Sequence, residues 1–241
     1  MKPIRTETGA QQRALYKTAG AAALLIALAG IVDAVTSGAG AAARSNSTVS
    51  VTEWFTLFQT DAFHAFSNLG VINILTLSLG IPVTLALYRA HRRERAALAG
   101  LAAVLFFIGA AVYFSSNTVF SLFALSRQYA AALEAQKALL EAAGQALLAQ
   151  GADLTPGTFA GFALTQTAGL LFSGVMLRGS VFGKWTGAAG LAGYGLTSVF
   201  FILAAFAPAR FDTAMAFAMP GGLLLMAYQV LLARRFFQLE N

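Results

Sequence analysis

The chain contains no cysteine, which excludes disulfides, thiolate metal sites and thiol nucleophiles. Histidine is almost as scarce. His64 and His91 are the two present, too few for a three-histidine zinc centre and too far apart for bis-histidine haem within one subunit. No glycine-rich phosphate loop followed by Lys-Ser or Lys-Thr occurs, so the signature of a nucleotide-driven pump is missing. Charge is thin as well. Asp, Glu, Lys and Arg make up 11% of residues against 58% hydrophobic ones, far from the balance of a water-soluble domain. No lysine lies inside an apolar run, so a Schiff-base pigment has no attachment point.

What the chain has instead is long uncharged stretches. Residues 65–88, 96–126, 154–177, 185–209 and 213–233 carry no Asp, Glu, Lys or Arg. A helix needs about 20 apolar residues to cross a hydrocarbon core, and each stretch supplies them. A further run near residues 18–36 contains one acid, Asp33. Unbroken apolarity argues for helices, because barrel strands alternate apolar and polar residues. The expected fold is therefore all-α: a single polytopic membrane bundle of six transmembrane helices, near 18–36, 65–88, 97–118, 157–177, 186–207 and 213–233. An extracytoplasmic helical layer is expected from about 37–62 and 119–156. The first 43 residues mimic a signal peptide, but their apolar run is long for one and reads as an uncleaved first span.

Basic residues set the expected orientation. Lys2, Arg5, Arg13 and Lys17 precede span 1; Arg89, Arg92, Arg93 and Arg95 link spans 2 and 3. Arg178 and Lys184 bracket the link between spans 4 and 5, and Arg234 and Arg235 follow span 6. These twelve of sixteen fall on one side, leaving Arg44, Arg127, Lys137 and Arg210 on the other. The positive-inside rule puts both termini in the cytoplasm of a plasma (inner) membrane. The net charge of +6 then needs no nucleic-acid partner; membrane lipids are the natural one.

Local patterns fill in the outer layer. Ser50-Val-Thr-Glu53 is a capping box that opens a helix. Val51, Trp54, Phe55 and Phe58 share one face of that helix, which lies in the membrane interface or packs on its neighbours. No proline interrupts residues 96–150, so span 3 either continues as one helix bending over the outer face or forms a hairpin with a break near Gly144. Leu133, Leu140 and Leu147 recur every seven residues, a seam for another helix. Gly151 suits a helix stop, and Thr155-Pro156 suits the start of span 4.

Three segments, Leu85-Ala-Leu-Tyr-Arg89, Leu125-Ser-Arg-Gln-Tyr-Ala130 and Glu141-Ala-Ala-Gly-Gln-Ala-Leu-Leu148, resemble an uncharacterised bacterial family of multi-span integral membrane proteins, a domain of unknown function. The resemblance implies a multi-span membrane fold and no activity.

Candidate sites fall into four groups. Asp61, His64 and Asn68, spaced three and four apart, share a helical face at the outer end of span 2, where Asp61 can orient His64 as a base. Asp33 and Asn117, with Ser115 and Ser116, reach a similar level; Asp33 needs a partner, with His64, Arg127 or Arg210 in range. Asn73, Gln166 and Tyr194 are expected near the bilayer midplane, lining a ligand site or serving as interhelical bonds. Small residues on spans 4 and 5, in Gly169-x-x-x-Ser173 and Gly183-x-x-x-Gly187, permit close helix approach. No metal site and no cofactor are expected.

Three functions follow from these groups. The first is a non-enzymatic accessory or scaffold subunit, binding a protein partner or a second copy through Leu133, Leu140, Leu147, Trp54, Phe55 and Phe58. The second is a binder or carrier of a lipid or other hydrophobic small molecule, held by Asp33, Asn68, Asn73, Asn117, Gln166 and Tyr194. The third is an outer-face intramembrane enzyme in which Asp61 orients His64.

Overall fold

The computed structural model describes residues 9–39 and 49–240. Lys2, Arg5 and Arg44, and residues 40–48 of the outer layer expected from about 37–62, lie outside the described residues. Those residues contain ten α-helices, a 3-10 turn and no strand. The helices are α1 (Gly9–Ala39), α2 (Val51–Thr60), α3 (Ala62–Asn68), α4 (Val71–His91), α5 (Ala96–Ser116), α6 (Val119–Ala131), α7 (Glu134–Gly151), α8 (Pro156–Arg178), α9 (Lys184–Phe206) and α10 (Phe211–Glu240). Six helical stretches, built on α1, α4, α5, α8, α9 and α10, are long and apolar enough to cross a membrane. Their outward faces agree with that. Leu25, Leu28, Ile31 and Val35 on α1, and Leu101, Val104 and Ile108 on α5, are all exposed, an apolar surface that water would penalise and lipid would not.

The six spans form a ring in chain order. Each packs on the next, and α10 closes the ring against α1. Close approach depends on small residues. A methyl added at Gly109 of α5 would come within 2.8–2.9 Å of Leu164, Thr165 and the Gly161 carbonyl on α8. Gly187 and Gly190 of α9 similarly meet Ser173 of α8. Gly183, expected with Gly187 to permit close helix approach, has open space around it and caps α9 instead.

The ends of the ring differ. At the terminal end, where α1 begins and α10 finishes, an apolar plug fills the ring: Tyr16, Leu87, Phe172, Met176, Tyr228, Leu232 and Phe236 are all buried there. The opposite, capped end carries α2, α3, α6 and α7, which enclose a second cluster around Val51, Trp54, Phe55, Phe58, Leu69 and Leu122.

Each turn of the cap has a local cause. The Ser50 hydroxyl accepts the Glu53 amide hydrogen bond at 3.3 Å and the Ser50 amide donates to the Glu53 carboxylate at 3.1 Å, closing the capping box of α2. The Asp61 carboxylate caps α3 by accepting from the His64 amide at 3.1 Å. Gly70, with φ of 100°, reverses the chain into α4, a conformation that favours glycine. The Asn117 side-chain oxygen accepts from the Val119 amide at 3.0 Å and starts α6.

Several expectations change here. Span 3 neither runs on nor breaks at Gly144. It ends at Ser116, with a break across Asn117–Thr118 before α6, and a second break falls at Ala132–Leu133, where ψ reaches 148° and 153°. Gly144 lies inside α7, pressed against Val51 and Phe55, where no side chain fits. Leu133 caps α7 from outside the helix while Leu147 packs on the cap's own core, so the leucine seam is not one stripe. Trp54, Phe55 and Phe58, assigned to a partner, are 3%, 0% and 4% exposed because α6 and α7 cover them. Asp61, His64 and Asn68 belong to the short helix α3 and its cap, not to span 2. Asn73 consequently falls in the first turn of α4 and not at mid-depth, since the Gly70 turn starts a new helix. Pro220 lies within a continuous α10.

Candidate functional site

A cavity of about 1190 Å³ runs down the ring, and all six spans contribute to its wall. Its mouth lies under the cap, where Glu53, Trp54, Asp61, His64 and Asn68 line it. Asp33, Asn73 and Asp153 come next, then Gln166, Tyr194, Thr197 and Gln229. Leu87 and Phe172, at the bottom, join the cavity wall to the apolar plug. Asn73 and Leu87 are fourteen residues apart on α4, a depth of about 21 Å at the helical rise.

At the mouth, Asp61 Oδ2 lies 2.6 Å from His64 Nδ1. Hydrogen bonds from the His64 amide and then from its ring hold the Asp61 carboxyl below the usual carboxylate range. Asn68 donates to the His64 carbonyl at 2.9 Å, which steadies the helix rather than the imidazole ring. Ser115 and Ser116 donate to carbonyls of their own helix, Val112 and Tyr113, and neither lines the cavity. The pair thus has an oriented histidine, and neither Ser115 nor Ser116 reaches the cavity beside it.

The next level holds a residue that sequence reasoning passed over. Asp153, in the turn between α7 and α8, is 4% exposed. Its carboxylate accepts from the Tyr113 hydroxyl at 2.9 Å and from the Asn73 amide at 2.8 Å. Tyr113 also donates to the Gly70 carbonyl at 3.3 Å, and Asn117 donates to the Leu69 carbonyl at 2.9 Å. A side chain on Gly70 would collide with the Tyr113 hydroxyl, so glycine is required twice over. Two spans, α4 and α5, therefore converge on one buried carboxylate. Asp33 of α1 lines the same cavity within electrostatic reach of Asp153. Asn117, expected in the ligand set, does not line the cavity; it is occupied with backbone at the α5–α6 turn.

Deeper, Gln166 donates to the Thr197 hydroxyl at 2.6 Å, joining α8 to α9. The Tyr194 and Tyr228 rings meet edge to face, 5.7 Å between centroids, and Gly169 gives Tyr194 its room. Gln229 lies on the same wall, buried, and its Oε1 has no hydrogen-bond partner. Asn73, Gln166 and Tyr194 thus line one cavity, two of them with interhelical bonds or contacts that also fix its shape.

The signals for the missed residues were faint. Tyr113 precedes Asn117 by four residues, one helical face, and Asp153 sits just ahead of the Thr155-Pro156 helix start. Neither spacing says that the two meet.

Among the described residues no cluster of three or more His, Cys, Asp or Glu side chains is placed to hold a metal ion. No family model, curated protein or solved structure matches the chain. The functional reading accordingly rests on geometry.

Proposed function

We propose that this membrane protein binds a hydrophobic small molecule within its helical ring. The observation that carries the reading is the cavity itself: its wall is drawn from all six spans and includes Asp33, Asn68, Asn73, Gln166 and Tyr194. Its volume lies just above the range of ordinary ligand pockets, about 300–1,000 Å³, and is large for a packing defect in a close-packed interior. Phe106, Phe162, Phe172 and Phe201 give it an apolar wall, while polar groups are few and confined to definite levels.

The orientation belongs to the same proposal. Of the described basic residues, Arg127, Lys137 and Arg210 belong to the capped end and the other ten to the terminal end. The positive-inside rule then puts the termini in the cytoplasm and the mouth on the outer side of a plasma membrane.

Native mass spectrometry on protein released gently from its own membrane tests the reading. The expected result is a retained small-molecule mass that is lost in Gly222→Phe. Gly222 lines the cavity and a Cβ there would meet nothing within 4 Å, so phenylalanine can be introduced at the wall to occupy the site. Wild-type protein carrying no such mass, or a mass unaffected by the substitution, would overturn it. The accessory-subunit reading keeps one supporting observation, since Leu133 and Leu139 stand 73% and 75% exposed at the capped end. A protein partner at fixed stoichiometry in the same spectrum would favour it.

A further inference from the structure

The ring is not closed evenly along its height. Where α10 returns to α1, a methyl added at Gly20 would press on Phe237 at 2.8 Å, and one at Gly30 would reach Met226 at 3.3 Å. The two helices therefore touch through the terminal half. Five helical turns are about eighteen residues, so Met219 projects from α10 in the same direction as Phe237. Yet Met219 is 68% exposed, and Leu223, which the Gly30–Met226 contact sets level with Asp33, is 65% exposed. Both are more exposed than Leu28 and Ile31, which face lipid from α1.

Met219 and Leu223 also line the cavity, with Met215 and Met226 of the same helix and Gly30 and Ala34 of α1. A surface this exposed that is also cavity wall marks a window between the two helices, in addition to the mouth beneath the cap. The helix ends above it lean on different neighbours. On α1 the Thr36 hydroxyl lies 2.8 Å from the Ser67 hydroxyl of α3. Phe211, at the start of α10, meets Phe200 of α9 with 6.4 Å between ring centroids. Pro220 lacks the amide that would bond the Ala216 carbonyl, so α10 is least constrained at the level of the window.

We infer that the cavity is entered sideways from the bilayer, between α1 and α10, and that its ligand is a membrane lipid with an acyl chain inside the ring. This rests on the cavity reading above and narrows it. The rim admits such a chain: Met215, Met219, Leu223 and Met226 are apolar, and the methionines are unbranched and yield to a passing chain. The mouth beneath the cap is polar by contrast, with Glu53, Asp61, His64 and Asn68 around it. The length fits too. From Asn73 to Leu87 the cavity descends about 21 Å, more than the reach of one leaflet, about 15 Å or half a hydrocarbon core. The chain then lies along Phe106, Phe162, Phe172 and Phe201, and the head group stays at the polar level of Asp33 and Asn73 beside the window.

The test loads full-length protein in nanodiscs of chain-deuterated phosphatidylcholine and extracts it into micelles carrying excess unlabelled phosphatidylcholine. Native mass spectrometry follows replacement of the retained lipid over time. Leu223→Trp places an indole in the window that must swing aside for each passage, so exchange should slow about tenfold or more. Leu57→Trp, at the mouth beneath the cap, should leave the rate unchanged. Met219→Ala, which only removes bulk from the rim, should speed it. Leu223 and Met219 are exposed, so neither change disturbs core packing, and the retained lipid itself reports an intact ring. Exchange slowed no more by Leu223→Trp than by Leu57→Trp would overturn the inference and leave the cavity reading standing. A retained small molecule that is not a lipid would do the same. No retained mass at all would sink both.

Discussion

The two ends of the ring are held together by different physics. The terminal end is closed by apolar volume: Phe236 and Met176 are 0% exposed, and Phe182 packs edge to face on Phe236 at 5.6 Å between centroids. The capped end is held by directed polar contacts, with Tyr113, Asn73, Asn117 and the Leu69–Gly70 backbone arranged around Asp153. Basic residues crowd the first end, while Asp33, Glu53, Asp61, Glu134, Glu141, Asp153 and Asp212 all lie at the second. A plug of rings excludes water and ligand alike. A lattice of hydrogen bonds keeps polar groups fixed and leaves space between them. The difference explains why the cavity has its mouth beneath the cap and its floor at the plug.

The comparison can be broken at either end. Phe236→Ala should have the largest effect, about 3–5 kcal/mol from lost burial and the void left behind. Unfolding in mixed micelles measures it, and a loss under about 1 kcal/mol would mean the plug is not what closes the ring. Gly70→Ala should cost about 2 kcal/mol through its positive φ alone. Its signature is local: faster hydrogen exchange at the first turns of α4 and α8, with the terminal end unchanged. Exchange rising equally at both ends would erase the distinction drawn here.

The smallest expected effect is a pH response shared by both ends. Asp61 is held below the carboxylate range by the His64 amide and ring. Glu94, in the α4–α5 link, is held below its own by the Ser180 hydroxyl, with the Ser180 amide also donating to it at 3.2 Å. A carboxyl depressed in the folded state contributes stability above its unfolded pKa and loses it as pH falls through the folded value. Both links should therefore hold at neutral pH and loosen below about pH 4. Hydrogen exchange at α3 and at residues 179–183, compared between pH 7 and pH 3.5, reads the two separately. Glu94→Gln should flatten the second response and spare the first.

How far these features could be read beforehand depends on the distance over which each is decided. Ser50 and Glu53 close their capping box within one turn, and Thr155-Pro156 starts α8 where it was expected, because a helix start depends on neighbours in the chain. Asp33 and Gln166 stood out because a polar group in an apolar run is conspicuous. Asp153 did not, since an acid in a polar link looks ordinary until Tyr113, forty residues away, is found against it. Trp54, Phe55 and Phe58 showed their shared face in the sequence, but whether lipid, partner or the cap's own helices would cover it was settled only by where α6 and α7 fold back.

From the sequence by itself came six spans, their chain order and the sidedness of their charge, because crossing a membrane requires only length, apolarity and flanking bases, all local properties. The tertiary structure alone decided that α10 returns to α1, closing a ring, and that this ring holds a plug at one end and a carboxylate-lined cavity beneath the other. Those outcomes depend on which small residues from distant spans meet, and a cavity is a property of the space between helices that no single helix encodes.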